Sequence, residues 1–150
     1  MIRKAVTGDV KEMAALVETF ARRGDMLPRP LSEIYDNLRD FFVCRDGEEL
    51  VGLCALHVCS EELGEIRTLA VKEERFGSGV GRSLVTACLE EARSLGLKRV
   101  FALTYRTAFF EKLGFRPVAK EDLPHKIWGE CIRCVKFPNC DENAVIIDIA

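Results

Sequence analysis

Apolar and polar positions alternate between two periods along the 150-residue chain. Near the start, a short apolar stretch at residues 2–6 predicts a strand, and Met13, Leu16, Val17 and Phe20 then fall at helical spacing. Asp9 is the expected N-cap of that helix, with Glu12 three positions on as in a capping box, and Gly24 its expected stop. Two prolines make residues 27–30 a loop, and Ser32 is placed to cap a short second helix running to Arg39. Residues 41–45 and 50–59 read as strands joined by a turn at Asp46 and Gly47. Residues 65–71 form a further strand. Leu84, Val85, Cys88, Leu89 and Ala92 then mark one face of a helix that Gly96 closes. A buried strand at 100–103, a helix at 107–113 closed by Gly114, and strands at 115–118 and 144–149 complete the pattern. Residues 121–141 fit neither period. Hairpins followed by strand–helix–strand units predict an α/β fold, a mixed, mostly antiparallel sheet with helices on both faces. One domain over residues 1–150 accounts for the whole pattern.

Composition narrows the classes. Hydrophobic residues are 48% of the chain and charged residues 31%, which suits a globular domain and excludes a disordered or fibrous one. The formal net charge is -2, so the basic excess of a nucleic-acid binder is absent. No apolar run reaches the roughly 20 residues needed to span a bilayer, and residues 1–17 lack the apolar block of a secretion signal. A cytoplasmic protein with free thiols is therefore expected from the seven cysteines. Cys131, Cys134 and Cys140, with His125, suggest zinc, but the spacing is irregular and no metal site is assigned; a substrate-covering loop and a plain packed segment are the other readings.

The chemistry concentrates between residues 65 and 82. A strand ending in Leu69, Ala70 and Val71 leads to Gly77-Ser78-Gly79-Val80-Gly81-Arg82, where a helix opens. Glycines let the backbone turn its N–H groups toward a ligand, and a helix N-terminus adds unpaired donors and partial positive charge. Together they suit a pyrophosphate, although the loop alone also reads as a simple strand-to-helix turn. No Gly-Lys-Ser/Thr is present, which excludes a P-loop, and the glycine spacing does not fit a dinucleotide fold.

In its context the stretch LAVKEERFGSGVGRSLV resembles the central motif of the GNAT acetyltransferases, and AFFEKLGFRPV resembles their second signature through Leu113-Gly114-Phe115. The resemblance implies acetyl-CoA as co-substrate, bound by Leu69, Ala70, Val71 and the loop from Gly77 to Arg82. Two positions depart from the family's pattern. Phe76 stands where the family carries Arg or Gln, with Arg75 one residue early. Phe110 stands where many members carry a tyrosine general acid, and Tyr105 is the nearby alternative donor. The resemblance also makes Glu65, at the start of the base-bearing strand, the expected general base, with His57 on the preceding strand a rival. Strand alternation would place Glu65, Arg67 and Leu69 on one face.

Over the whole chain the sequence is most similar to the short N-acetylglutamate synthases of arginine biosynthesis. That likeness implies an amino-acid substrate, L-glutamate, whose carboxylates Arg29, Arg67 or Arg106 would bind; arginine forks match carboxylates. Each arginine also reads as an ordinary surface charge. An acetyltransferase for another small amine or a protein N-terminus, and a CoA-binding sensor or interaction module without strong catalysis, are the alternatives. Neither nucleic acid nor membrane is an expected partner, and a homodimer is compatible with the sequence.

Overall fold

The computed structural model describes residues 1–24, 26, 28–123 and 143–150. The expected residues 121–141 region and the cysteine-rich tail, with Cys131, Cys134, Cys140 and His125, lie largely or wholly outside the described residues. Among the described residues, seven strands form one sheet: β1 (Ile2–Lys4), β2 (Phe41–Asp46), β3 (Glu49–Val58), β4 (Leu63–Val71), β5 (Arg99–Thr104), β6 (Arg116–Val118) and β7 (Asn143–Asp148). Their spatial order is β1-β2-β3-β4-β5-β7-β6. Every neighbouring pair is antiparallel except β4 and β5, which are parallel and joined by a helical crossover.

Four α-helices among the described residues cover the two faces: α1 (Val10–Arg22), α2 (Leu31–Asp36), α3 (Val80–Ser94) and α4 (Thr107–Lys112). The amphipathic stripe of α1 buries Met13, Leu16, Val17 and Phe20 on one side of the sheet, together with Leu53 and Ala55 of β3. The stripe of α3 buries Leu84, Val85, Cys88, Leu89 and Ala92 on the other, against Cys54 and Leu56. Alternation along β3 thus feeds two cores. Gly52 lets α3 approach closely, since a Cβ there would lie 2.9 Å from Val80 Cγ1.

Two expected caps do not form. The Asp9 carboxylate turns back to accept the N–H of Val6 at 2.8 Å and is gripped by Arg3 and Arg45, while Glu12 pairs with Arg45 at 2.7 Å instead of closing a capping box. Helix α2 starts at Leu31 after Pro30, so Ser32 lies inside its first turn, and the helix ends at Asp36 before a separate tight turn at Leu38–Asp40. Pro30 enters the helix with an extended backbone, and its carbonyl accepts the N–H groups of Glu33 and Ile34 at 3.0 and 3.2 Å.

The consequential departure is in β4. Leu53 pairs with Ala70 and Ala55 with Arg67, so Thr68 and Leu69 together oppose Cys54. This is a β-bulge, and Thr68 takes the positive φ of 56° that it requires. The expected alternation holds for Glu65 and Arg67 but breaks there: Leu69 packs on the α3 side with Ile66, and Ala70 on the α1 side. The parallel pairing of β4 with β5 runs from Leu63↔Arg99 to Ile66↔Ala102 and stops next to the bulge. Beyond it the two strands part.

Candidate active site

The parting of β4 and β5 separates two clusters of candidate residues. At the closed end stands Glu65, which pairs with His57 of β3 and Phe101 of β5. Its carboxylate is buried, with its side chain 6% exposed, and accepts a hydrogen bond from Arg67 Nε at 2.6 Å. Two residues on one face of a strand place that arginine beside the carboxylate.

His57, directly opposite Glu65 on β3, shares its face of the sheet. It is a half-buried side chain, and its Nδ1 lies 3.1 Å from Asp40 Oδ2. Asp40 comes from the tight turn before β2, and no local pattern announces it, because the contact depends on the pairing of β2 with β3. Thr104 is a second polar residue that the local pattern does not mark: it is buried, and its hydroxyl accepts the N–H of Arg106 at 2.8 Å.

At the open end, Val71 leads through the short turn Glu73–Arg75 to the glycine loop. Lys72 pairs with Glu49 at 2.8 Å and Arg75 with Asp46 at 2.6 Å, so both cations tie the turn to the β2–β3 hairpin. Gly77 and Gly79 have φ of 79° and 91°, a region that penalises any side chain, and Gly79 stands immediately before α3. The N–H groups of Val80, Gly81 and Arg82 open that helix and have no carbonyl a turn earlier within it. A Cβ on Gly81 would come within 3.3 Å of Phe109 Cζ, so this glycine brings α4 against the loop. Backbone donors, positive helix end and bare glycines together form a surface suited to a pyrophosphate.

The expected substrate arginines make different contacts. Arg67 is at Glu65. Arg29 is mostly buried beside Glu33, at 3.2 Å. Arg106, between β5 and α4, lies over the ring of Phe76 at 5.0 Å from its centroid, next to the glycine loop. Phe110, at the position of the expected tyrosine, is 4% exposed, and its ring meets Phe109 and Phe115 edge-on in the core at 5.1 Å each. Tyr105 is partly exposed at the end of β5.

Residues 11–115 match the acetyltransferase (GNAT) family. An amino-acid acetyltransferase of Mycobacterium tuberculosis is 36% identical over 136 residues, covering 89% of this chain and 78% of that protein. The crystal structure of Rv2747 from Mycobacterium tuberculosis in complex with CoA and a further ligand superposes with a TM-score of 0.87 at 31% identity, over 100% of this chain and 99% of that one. N-acetylglutamate synthase from Neisseria gonorrhoeae, crystallised with coenzyme A and N-acetyl-glutamate, shares the fold with a TM-score of 0.91 at 24% identity; this chain is covered completely and corresponds to 35% of that one. The match across most of the chain, on a sheet that parts beside a bulge and a glycine loop that opens α3, places this protein in the GNAT family of acetyltransferases, with acetyl-CoA as its acetyl donor.

Proposed function

We propose that the protein transfers the acetyl group of acetyl-CoA to the α-amino group of L-glutamate, giving N-acetylglutamate. The observation that carries the reading is a buried carboxylate, Glu65, held by Arg67 at 2.6 Å one residue before the last pair that joins β4 to β5. An amine must lose a proton to act as nucleophile, and an ion-paired carboxylate is the form that accepts one. The free amine attacks the thioester carbonyl directly. The tetrahedral intermediate then collapses, the C–S bond breaks and CoA leaves as thiolate, while the nitrogen's second proton passes to Glu65, which has by then released the first to solvent. Backbone N–H groups near the bulge are suited to the developing oxyanion. With Phe110 packed in the core, that position supplies no acid, and solvent protonates the thiolate.

The similarity to an amino-acid acetyltransferase supports the class of acceptor. Arg67, and Arg29 from the loop before α2, are the groups assigned to the acceptor's carboxylates. A second reading, a CoA-binding module with weak catalysis, is favoured by the buried ring of Phe110 and opposed by the intact Glu65.

The test is an assay of the purified protein with acetyl-CoA and a panel of free amino acids, read by mass spectrometry. Acetylglutamate is the expected dominant product. Acetylation of a different amine in its place would discard glutamate, and bound acetyl-CoA with no product would move the assignment to the binding module.

A further inference from the structure

The glycine loop offers a diphosphate backbone donors and the fractional charge of a helix end, about half an elementary charge. A diphosphate carries more charge than that, so a full cation should stand beside the loop. The basic residues that lead into it are occupied: Lys72 by Glu49 and Arg75 by Asp46, both within the β2–β3 hairpin region. Arg82 is exposed in the first turn of α3. Arg106 reaches the loop from a different element. Its guanidinium lies over Phe76, the residue preceding Gly77, and the ring is half exposed, so the pair sits at the surface where a ligand of the loop would lie. Two further contacts fix the approach. The buried Thr104 hydroxyl accepts the Arg106 N–H, which shapes the turn out of β5, and Phe109 packs on Gly81, which holds the start of α4 against the start of α3.

Arg106 is correspondingly remote from Glu65. The partner of Glu65 on β5 is Phe101, five residues earlier, and a strand advances about 3.3 Å per residue. The acceptor's amine must sit at the base, so its carboxylates are served from that end.

The geometry points to Arg106 as a ligand of the CoA pyrophosphate, oriented by the Phe76 ring, and not as a residue for the acceptor's carboxylate. A cation over an aromatic face keeps its charge while the ring restricts its rotamers, and the fork edge remains available for two parallel hydrogen bonds to phosphate oxygens. The inference rests on reading the glycine loop as the pyrophosphate site.

Calorimetric binding of CoA and of 3′-dephospho-CoA to the full chain tests it. Arg106→Ala should weaken both ligands equally, about tenfold or more, as expected for lost charge-assisted hydrogen bonds. The KM of the amino-acid acceptor should stay unchanged. Phe76→Arg in the Arg106→Ala background should restore much of the affinity by returning a cation to the same spot, an effect that a merely structural role would not produce. Unchanged CoA affinity, a loss confined to the ligand with the 3′-phosphate, or a rise in acceptor KM alone would each overturn the inference. Gly79→Val separates the premises: if it abolishes CoA binding while Arg106→Ala does nothing, only the role of Arg106 fails, and if it binds CoA normally, the loop assignment falls and Arg106 with it.

Discussion

Glu65 and Phe110 show how much burial decides at single positions. Glu65 has little access to water and holds the Arg67 guanidinium at hydrogen-bond distance. Replacing it with glutamine keeps the shape and removes the proton acceptor. Turnover should fall by roughly 10²–10⁴ while acetyl-CoA affinity holds, the range for losing a positioned base. Kinetics and calorimetry on Glu65→Gln check this, and unchanged turnover would remove Glu65 from the mechanism. Phe110 poses the opposite case. Its ring is buried against two other phenylalanines, so Phe110→Tyr would place a hydroxyl in an apolar setting. That should cost about 1–3 kcal/mol and lower Tm without raising turnover. Faster turnover would mean that the ring reaches the reacting thioester after all. Glu65 is expected as the base only through the family resemblance; the local pattern shows no more than a charged residue at the start of a strand. The partnership of His57 with Asp40 is not legible in the sequence, because the two meet only after β2 pairs with β3.

Elements meet through charge as well as through apolar faces, and Asp9 is the junction. It joins β1 through Arg3, β2 through Arg45 and the entry to α1 through the Val6 N–H, all while 2% exposed. The position of the helix start was legible from the apolar stripe, but the task of its carboxylate was not, since both arginines arrive from strands that local patterns cannot pair. The hydrogen bonds from Arg3, foremost, hold the Asp9 carboxyl well below the usual carboxylate range. A group depressed in the folded state lends stability that is complete above its unfolded pKa, near 3.9, and is lost as pH falls through the folded value. Stability should therefore decline in acid below about pH 4, and Asp9→Asn should flatten that decline. Asp9→Ala should cost about 2–3 kcal/mol at neutral pH, below the figure for a wholly buried pair because the arginines retain contact with water. Denaturant melts across pH measure both.

At the scale of the molecule, the sheet reads as two blocks. β1 to β4 form an antiparallel unit, β5 to β7 another, and four residue pairs between β4 and β5 join them. Each strand was visible in the sequence as an alternating or continuous apolar run. Their order was not, because β7 inserts between β5 and β6 from the far end of the chain, and because the bulge at Thr68 reverses a face without any glycine to mark it. That four-pair join has a consequence for solvent exchange. Among the described residues no pairing of β4 with β5 extends past Ile66, and an extended ligand lying along the main-chain amides of Thr68 to Val71 would act as an added strand. Deuterium uptake at those amides should slow markedly when CoA is bound, and the thermal midpoint should climb with CoA concentration as mass action requires. Uptake unchanged by CoA would show that the ligand does not lie along β4. The acetyl donor is then also a clasp, and the protein resists heat best when it is ready to work.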